Sequence, residues 1–374
     1  MDRIIPSASI GMAQKVCDHK GGSRIIDLTL GQPDFDTPEH IKKAAWRAVK
    51  AGKNGYTPST GIPELRTAIS AFHERRYCAS YDPQTEILVT PGAKQGLMYL
   101  MQALINPGDE AVLFEPCWLS YRDMILLNDG QPRFIAAQKG LSPNVSSLED
   151  TITPKTKVIL INNPINPTGY VLKKNELEEI ARIAEIHDLY VIADEIYDRI
   201  VFTEFISLSE LKRLRDRLII VNGFSKAYAM TGWRIGYLLG PEKILGKVKL
   251  IHEHTATCAA APSQYAALAA LEGSQEIVEH MRLTYQKRKD FFLKKVKETS
   301  FDLIPPEGTF YAMLDVSHLD TPPEKKAEIM LERYGIASVN GISYGLSGGD
   351  YVRLSLTKEE NTLSEVVERL KNPL

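Results

Sequence analysis

The sequence predicts an α/β fold: a mostly parallel sheet in a large domain, with a smaller α+β domain beside it. Three observations predict it. Strand-like and helix-like segments alternate through the middle of the chain. Several strand-like segments are continuous apolar runs, as strands covered on both faces must be. After about residue 275 the alternation gives way to a long charged helix and then to mixed short elements.

Glu86-Ile87-Leu88-Val89 reads as the first strand of the large domain, and Lys94 to Ile105 as a helix stopped by Asn106-Pro107-Gly108. Ala111 to Phe114 is a second strand and Lys157 to Ile161 a third. Lys173 to His187 has the apolar spacing of an amphipathic helix, with Leu177, Ile180, Ala184 and Ile186 expected toward the core. Leu189 to Ala193, Leu218 to Val221 and Ile235 to Leu239 complete the strands. Such alternation implies helices on both faces of a parallel sheet. Ser274 to Lys297 is the long helix. Strands at Thr309 to Leu314 and Tyr351 to Leu356, with helices at Pro323 to Tyr334 and Lys358 to Leu370, make the smaller unit. The first forty residues are too short for a domain. The expected division is therefore residues 41–275 for the large domain and 1–40 plus 276–374 for an N-terminal arm and the small one.

Composition excludes several classes. The 45 basic and 47 acidic residues leave a net charge of −2, without the basic face of a nucleic-acid binder. Lys287-Arg288-Lys289 and Lys294-Lys295 are spaced like the wet side of a helix. No apolar run is long enough to span a membrane. Met1 to Gly11 lacks the pattern of a secretory signal, so the Asn144-Val145-Ser146 sequon carries no weight. Cys17, Cys78, Cys117 and Cys258 are scattered, as free thiols in a reducing cytoplasm are. His252-Glu253-His254 sits in a helix, where residues two apart do not share a face, so no metal site is expected.

Open parallel sheets bind ligands beyond the carboxyl ends of their strands. The turns at those ends are chemically rich in this chain. Thr90-Pro91-Gly92-Ala93-Lys94 opens a helix, whose first N–H groups suit a phosphate. Asn162-Asn163-Pro164-Ile165-Asn166-Pro167-Thr168-Gly169 is a stiff turn. Asp194-Glu195-Ile196-Tyr197 and Asn222-Gly223-Phe224-Ser225-Lys226 end two further strands, and Gly232-Trp233-Arg234 precedes another. A carboxylate, an amide, a phenol, a hydroxyl, a lysine and an arginine thus gather at one sheet edge. Each alone has a plain structural reading as a cap, a surface lysine or half of a salt bridge. Neither G-x-x-x-x-G-K-[ST] nor G-x-G-x-x-G after a strand competes.

With these motifs the chain resembles the class I aminotransferases, fold type I pyridoxal-phosphate enzymes, in the branch of prokaryotic aspartate and aromatic aminotransferases. The likeness runs from Leu30-Gly31-Gln32-Pro33-Asp34-Phe35 to Tyr351-Val352-Arg353-Leu354-Ser355. It is most specific at Asn163 to Gly169 and at Ser225 to Arg234. The resemblance implies pyridoxal 5′-phosphate as cofactor. Lys226 would hold it covalently and shuttle the Cα proton, as a lysine of depressed pKa can. Asp194 would pair with the ring nitrogen. Tyr197 and Asn166 would bond the phenolic oxygen. Ser225, Arg234 and the N–H groups at Ala93 and Lys94 would grip the phosphate. Trp118 would stack on the ring, beside the substrate. Tyr56 would reach the phosphate in a neighbouring subunit, implying a homodimer with shared sites. Arg353, with Gly31 and Asn166, would bind the substrate α-carboxylate. Closure of the small domain would exclude water.

The same resemblance implies an amino acid and a 2-oxo acid, best 2-oxoglutarate, as substrates. Lys94 sits where a distal carboxylate is met in aspartate-specific relatives, which points to aspartate. A cation there opposes the helix dipole, which favours a functional reason. Ser9 and Ile10 are expected near the same pocket. The alternatives are an aromatic amino acid aminotransferase and a β-lyase or synthase of the same fold. A regulator with a helix-turn-helix module finds no room before the match, and a nicotinamide dehydrogenase lacks its glycine fingerprint.

Overall fold

The computed structural model describes residues 24–373, together with residues 4, 6, 11, 12 and 14–16. Ser9, Ile10 and Cys17 lie outside the described residues. The chain runs through β1 (Ile26–Asp27), then β2 (Ile87–Thr90), β3 (Glu110–Phe114), β4 (Gln131–Ile135), β5 (Thr156–Asn162), β6 (Tyr190–Asp194), β7 (Leu218–Gly223) and β8 (Gly236–Leu239). It continues through β9 (Asp302–Ile304), β10 (Tyr311–Asp315), β11 (Ile336–Ala337), β12 (Val339–Asn340) and β13 (Tyr351–Ser355).

Strands β2 to β8 form one sheet in the order β2-β8-β7-β6-β5-β3-β4. All neighbours are parallel except β8, which runs against both β7 and β2. The continuous apolar runs are buried on both faces, as their composition requires. Ile159, Ile161, Val191, Ala193, Leu218 and Ile220 pack into one core cluster. Val158, Leu160, Ile192, Ile219 and Val221, which alternate with them, pack into another. Helix Lys174–Ile186 lies on the first face and helix Ala93–Leu104 on the second.

Three expectations need correction. Ile186 is 59% exposed rather than in the core. At about 100° per residue it falls half a turn out of phase with Leu177, and Ile183 takes the buried place. Arg288 is not on a wet face: it is buried and pairs with Asp34 at 2.8 Å, tying the long helix Glu276–Val296 to the segment after Gly31. Strand β4 escaped the sequence reading, because Gln131-Pro132-Arg133 is polar and Pro132 suits an edge strand.

The C-terminal third forms a four-stranded antiparallel sheet, β12-β13-β10-β9. β1 pairs in parallel with β11, and the Ser355 N–H donates to the Leu28 carbonyl at 2.9 Å. Ile26 and Leu28 join Phe292, Leu314, Val352 and Leu363 in a separate core cluster. Among the described residues no helix is long and apolar enough to cross a membrane.

Candidate active site

The carboxyl ends of β2, β5, β6 and β7 open onto a cavity of about 380 Å³. It is lined by four cationic side chains (Lys94, Lys226, Arg234 and Arg353) and one carboxylate, Asp194. Among the described residues none of the four cations forms a salt bridge. Such an excess of unpaired positive charge suits a ligand carrying several negative charges.

One wall is a cup built by glycines. Gly92, at φ +88°, precedes helix Ala93–Leu104, and a Cβ there would fall 2.6 Å from Arg234 Nη2. A Cβ on Gly236, at the start of β8, would fall 2.4 Å from the Ala93 nitrogen. The two glycines therefore let the helix N-terminus and Arg234 crowd together beside buried Ser225. Arg234 itself has φ +50°, an uncommon backbone for an arginine, and donates from Nη1 to the Thr231 carbonyl at 2.8 Å.

On the floor, Lys226 Nζ donates to the Gly31 carbonyl. Burial, then Arg353 and Arg234, lower its pKa to about 8, against the pull of Asp194. Asp194 ends β6 and is 4% exposed. Burial raises its pKa to about 6. Tyr121 Oη donates to its Oδ2 at 2.7 Å and the Ile196 N–H to its Oδ1 at 3.2 Å, and both favour the ionised form. The Asn162–Gly169 turn hangs on the same strand end: Asn162 Nδ2 donates to the Asp194 carbonyl at 2.8 Å, and the Asn166 N–H to Asn162 Oδ1 at 2.7 Å.

Arg353, on β13, is 3% exposed. Nη1 donates to Asn166 Oδ1 at 3.2 Å and Nη2 to the Thr29 carbonyl at 2.8 Å, while Nε has no partner among the described residues. Its guanidinium lies 4.2 Å from the centroid of the Tyr311 ring. The Tyr311 hydroxyl is 3.3 Å from that of Tyr197. A Cβ on Gly31 would fall 2.3 Å from that hydroxyl oxygen but 3.5 Å from the ring carbon Cζ. Gly31→Ala is therefore expected to lower kcat/KM about ten- to hundred-fold, from a clash of about 1–3 kcal/mol. Adding Tyr311→Phe removes the clashing atom and should recover about ten-fold. A double variant no better than Gly31→Ala would refute the steric account.

Among the described residues the cavity brings together all those expected there except Tyr56, which is 90% exposed and outside it; Ser9 and Ile10 lie outside the described residues. The Trp118 ring meets the Lys94 ammonium at 5.0 Å from its centroid, and partial burial with Arg234 lowers the Lys94 pKa. Sequence reasoning missed Tyr121, Tyr311, Asn162 and the Thr29 carbonyl. Tyr121 follows Trp118 by three residues, a helical spacing that hints at a shared face. Nothing local in Thr309-Phe310-Tyr311 signals that the tyrosine crosses to Tyr197.

A mostly parallel sheet whose carboxyl edge gathers two lysines, two arginines and a buried carboxylate around one cavity is an arrangement that suits an α/β enzyme of the aminotransferase class. The chain belongs to the family of class I and II aminotransferases, whose model matches residues 23–370. It is 37% identical to the aspartate/prephenate aminotransferase of Thermus thermophilus, over 99% of this chain and 96% of that protein. Aromatic-amino-acid aminotransferase 2 of Thermococcus litoralis is 35% identical over 95% and 93% of the two chains. The structure of the Thermus thermophilus aspartate aminotransferase with maleate superposes with a TM-score of 0.93, at 36% identity over 98% of this chain and 97% of that one. The fold is that of the fold type I transferases, and the chain is an enzyme of amino-group transfer. The family uses pyridoxal 5′-phosphate.

Proposed function

We propose that this enzyme moves the amino group of an L-amino acid, aspartate by preference, to 2-oxoglutarate, with pyridoxal 5′-phosphate held at the sheet edge. The observation that carries the reading is Arg353: a buried guanidinium that, among the described residues, has no carboxylate partner and no hydrogen-bond partner at Nε, facing a cavity that Lys94 also lines. With Lys226 and Arg234 assigned to the cofactor, the two remaining cations, Arg353 and Lys94, suit a dicarboxylate. The maleate bound by the Thermus enzyme is of that class.

The residues fit the cofactor. Arg234, Ser225 and the N–H groups of Ala93 and Lys94 would hold its phosphate in the glycine-built cup. Asp194 would hold its ring nitrogen, Tyr197 and Asn166 its phenolic oxygen, and Trp118 would cover the ring face. When bound, the cofactor supplies a carbonyl for the amine and an electron-accepting ring. Lys226 Nζ, partly unprotonated near neutrality because its pKa lies near 8, would take the substrate Cα proton and pass it to the cofactor side, and in the second half-reaction would carry a proton back to Cα. Arg353 orients the α-carboxylate, assisted by Asn166 and the backbone at Gly31. The ionised Asp194 would stabilise positive charge on the ring.

A division at residues 41–275 against 1–40 plus 276–374 would let the smaller part close over the substrate. Exposed Tyr56 supports a homodimer in which it serves the partner's site. We place the enzyme in the cytoplasm. An aromatic preference is the second reading, favoured by the Lys94 ammonium lying over the Trp118 face, with Leu30, Leu97 and Leu119 as apolar walls.

One experiment separates these readings. Half-reactions are run with aspartate, phenylalanine or tyrosine alone, followed by a 2-oxo acid. Lys94→Ala should raise KM for aspartate about ten-fold or more, as loss of a charged hydrogen bond does, and leave that for the aromatics within about two-fold. Equal effects would remove the aspartate assignment. Pyruvate and ammonia released without a 2-oxo acid would instead mark a lyase.

A further inference from the structure

Asp194 is held by two donors, and they differ in kind. The Ile196 N–H is two residues along the same chain and belongs to the turn that ends β6. The other donor, the Tyr121 hydroxyl, comes from helix Ser120–Leu126, a separate element. Tyr121 is 1% exposed, and the Trp118 ring meets it edge-on at 5.2 Å between centroids. It bonds Asp194 at 2.7 Å, the ordinary distance of a well-made hydroxyl hydrogen bond. The tyrosine is thus locked in place, with its one donor spent on this carboxylate.

We propose that Tyr121 is a positioning residue that keeps the Asp194 carboxylate ionised and fixes its orientation toward the cavity. The inference rests on the proposed reading of Asp194 as the partner of the cofactor ring nitrogen.

The electrostatics give the direction. A carboxyl at 4% exposure is driven toward its neutral form, up to about 6. The charged and titratable groups that face it are Tyr121, Lys226 and Tyr197. Tyr197 is itself pushed well up by burial and stays neutral, and Lys226 is partly neutral near its lowered pKa. Tyr121 is pushed up by burial and by Asp194, so it remains a donor across the working range. A hydrogen bond to the charged form favours that form, so removing the hydroxyl raises the Asp194 pKa further. Asp194 then protonates at a higher pH, and a neutral carboxyl no longer counters a protonated ring nitrogen.

The test uses Tyr121→Phe, which keeps the ring and its packing. The affinity of the apoprotein for pyridoxal 5′-phosphate is titrated between pH 5 and 9 for the parent, Tyr121→Phe and Asp194→Asn, with the absorbance of the bound cofactor followed in parallel. In Tyr121→Phe the acid-side loss of affinity should move to higher pH by about one unit, with about ten-fold weaker binding near pH 6 and little change near pH 9. The shift is read within each variant against its own affinity at pH 9, so a partly unfolded preparation does not imitate it. Asp194→Asn should be weak at all pH values. A Tyr121→Phe profile that overlays the parent, while Asp194→Asn is weak, overturns the role of Tyr121 and leaves that of Asp194. An Asp194→Asn profile that overlays the parent overturns the reading of Asp194 itself. A uniform weakening of Tyr121→Phe at every pH assigns the tyrosine to packing and also overturns the proposal.

Discussion

Lys226→Ala is expected to keep the cofactor and lose turnover by about 10⁴-fold or more, the scale of a combined nucleophile and acid–base role. Retention comes from the cup: Arg234, Ser225 and the helix N-terminus at Ala93 do not depend on Lys226. The loss comes from position. Of the two lysines lining the cavity, Lys226 lies on the floor with its pKa lowered to about 8, while Lys94 sits at the wall over Trp118. The free-amine fraction of Lys226 rises as pH passes upward through its pKa, and Lys94, held over Trp118, does not take its place. Gel filtration followed by phosphate analysis and an absorbance spectrum checks the prediction. The cofactor should co-elute, without the visible band of a covalently held form. Normal turnover in Lys226→Ala would sink the whole functional proposal, not this assignment alone.

Arg353→Lys is the second large effect. A lysine keeps the charge but loses the planar fork. The change also leaves Asn166 Oδ1 and the Thr29 carbonyl without their donors. Breaking a buried charged contact costs about 2–5 kcal/mol, so kcat/KM should fall on the order of 10²- to 10³-fold. The diagnostic feature is symmetry. The amino acid and the 2-oxo acid present the same α-carboxylate, so both half-reactions should fall together while cofactor content is unchanged. A loss confined to one of them would move the carboxylate site elsewhere.

Much of this molecule can be read locally. The buried strands announce themselves by unbroken apolar runs, because covering both faces of a sheet leaves no polar position along Val158–Ile161 or Leu218–Val221. The placement of Asp194 and Lys226 at one edge reflects parallel order, which puts successive carboxyl ends on the same side, and Arg234 joins them because it precedes β8, an antiparallel strand whose amino end lies at that edge. Where the pattern was weaker, the reading failed. β4 is a polar edge strand with a proline, and Arg288 looks like any exposed helix arginine until its partner, Asp34, is seen across the fold.

The sequence by itself therefore determined the fold class, the sheet edge that bears the chemistry and most of the side chains placed there. The fold class and the sheet edge depend on periodicity and on the residues immediately after a strand, whereas Gly31, Trp118 and Arg353 were expected there from the family resemblance. Only the tertiary structure decided how those side chains are held. Tyr121 reaches Asp194 from 73 residues away in the chain, and Arg353 reaches Asn166 from 187. The Tyr311 hydroxyl fills the space that a Cβ on Gly31 would need. These are contacts between elements distant in sequence. They are set by packing and burial, and no local spacing encodes them.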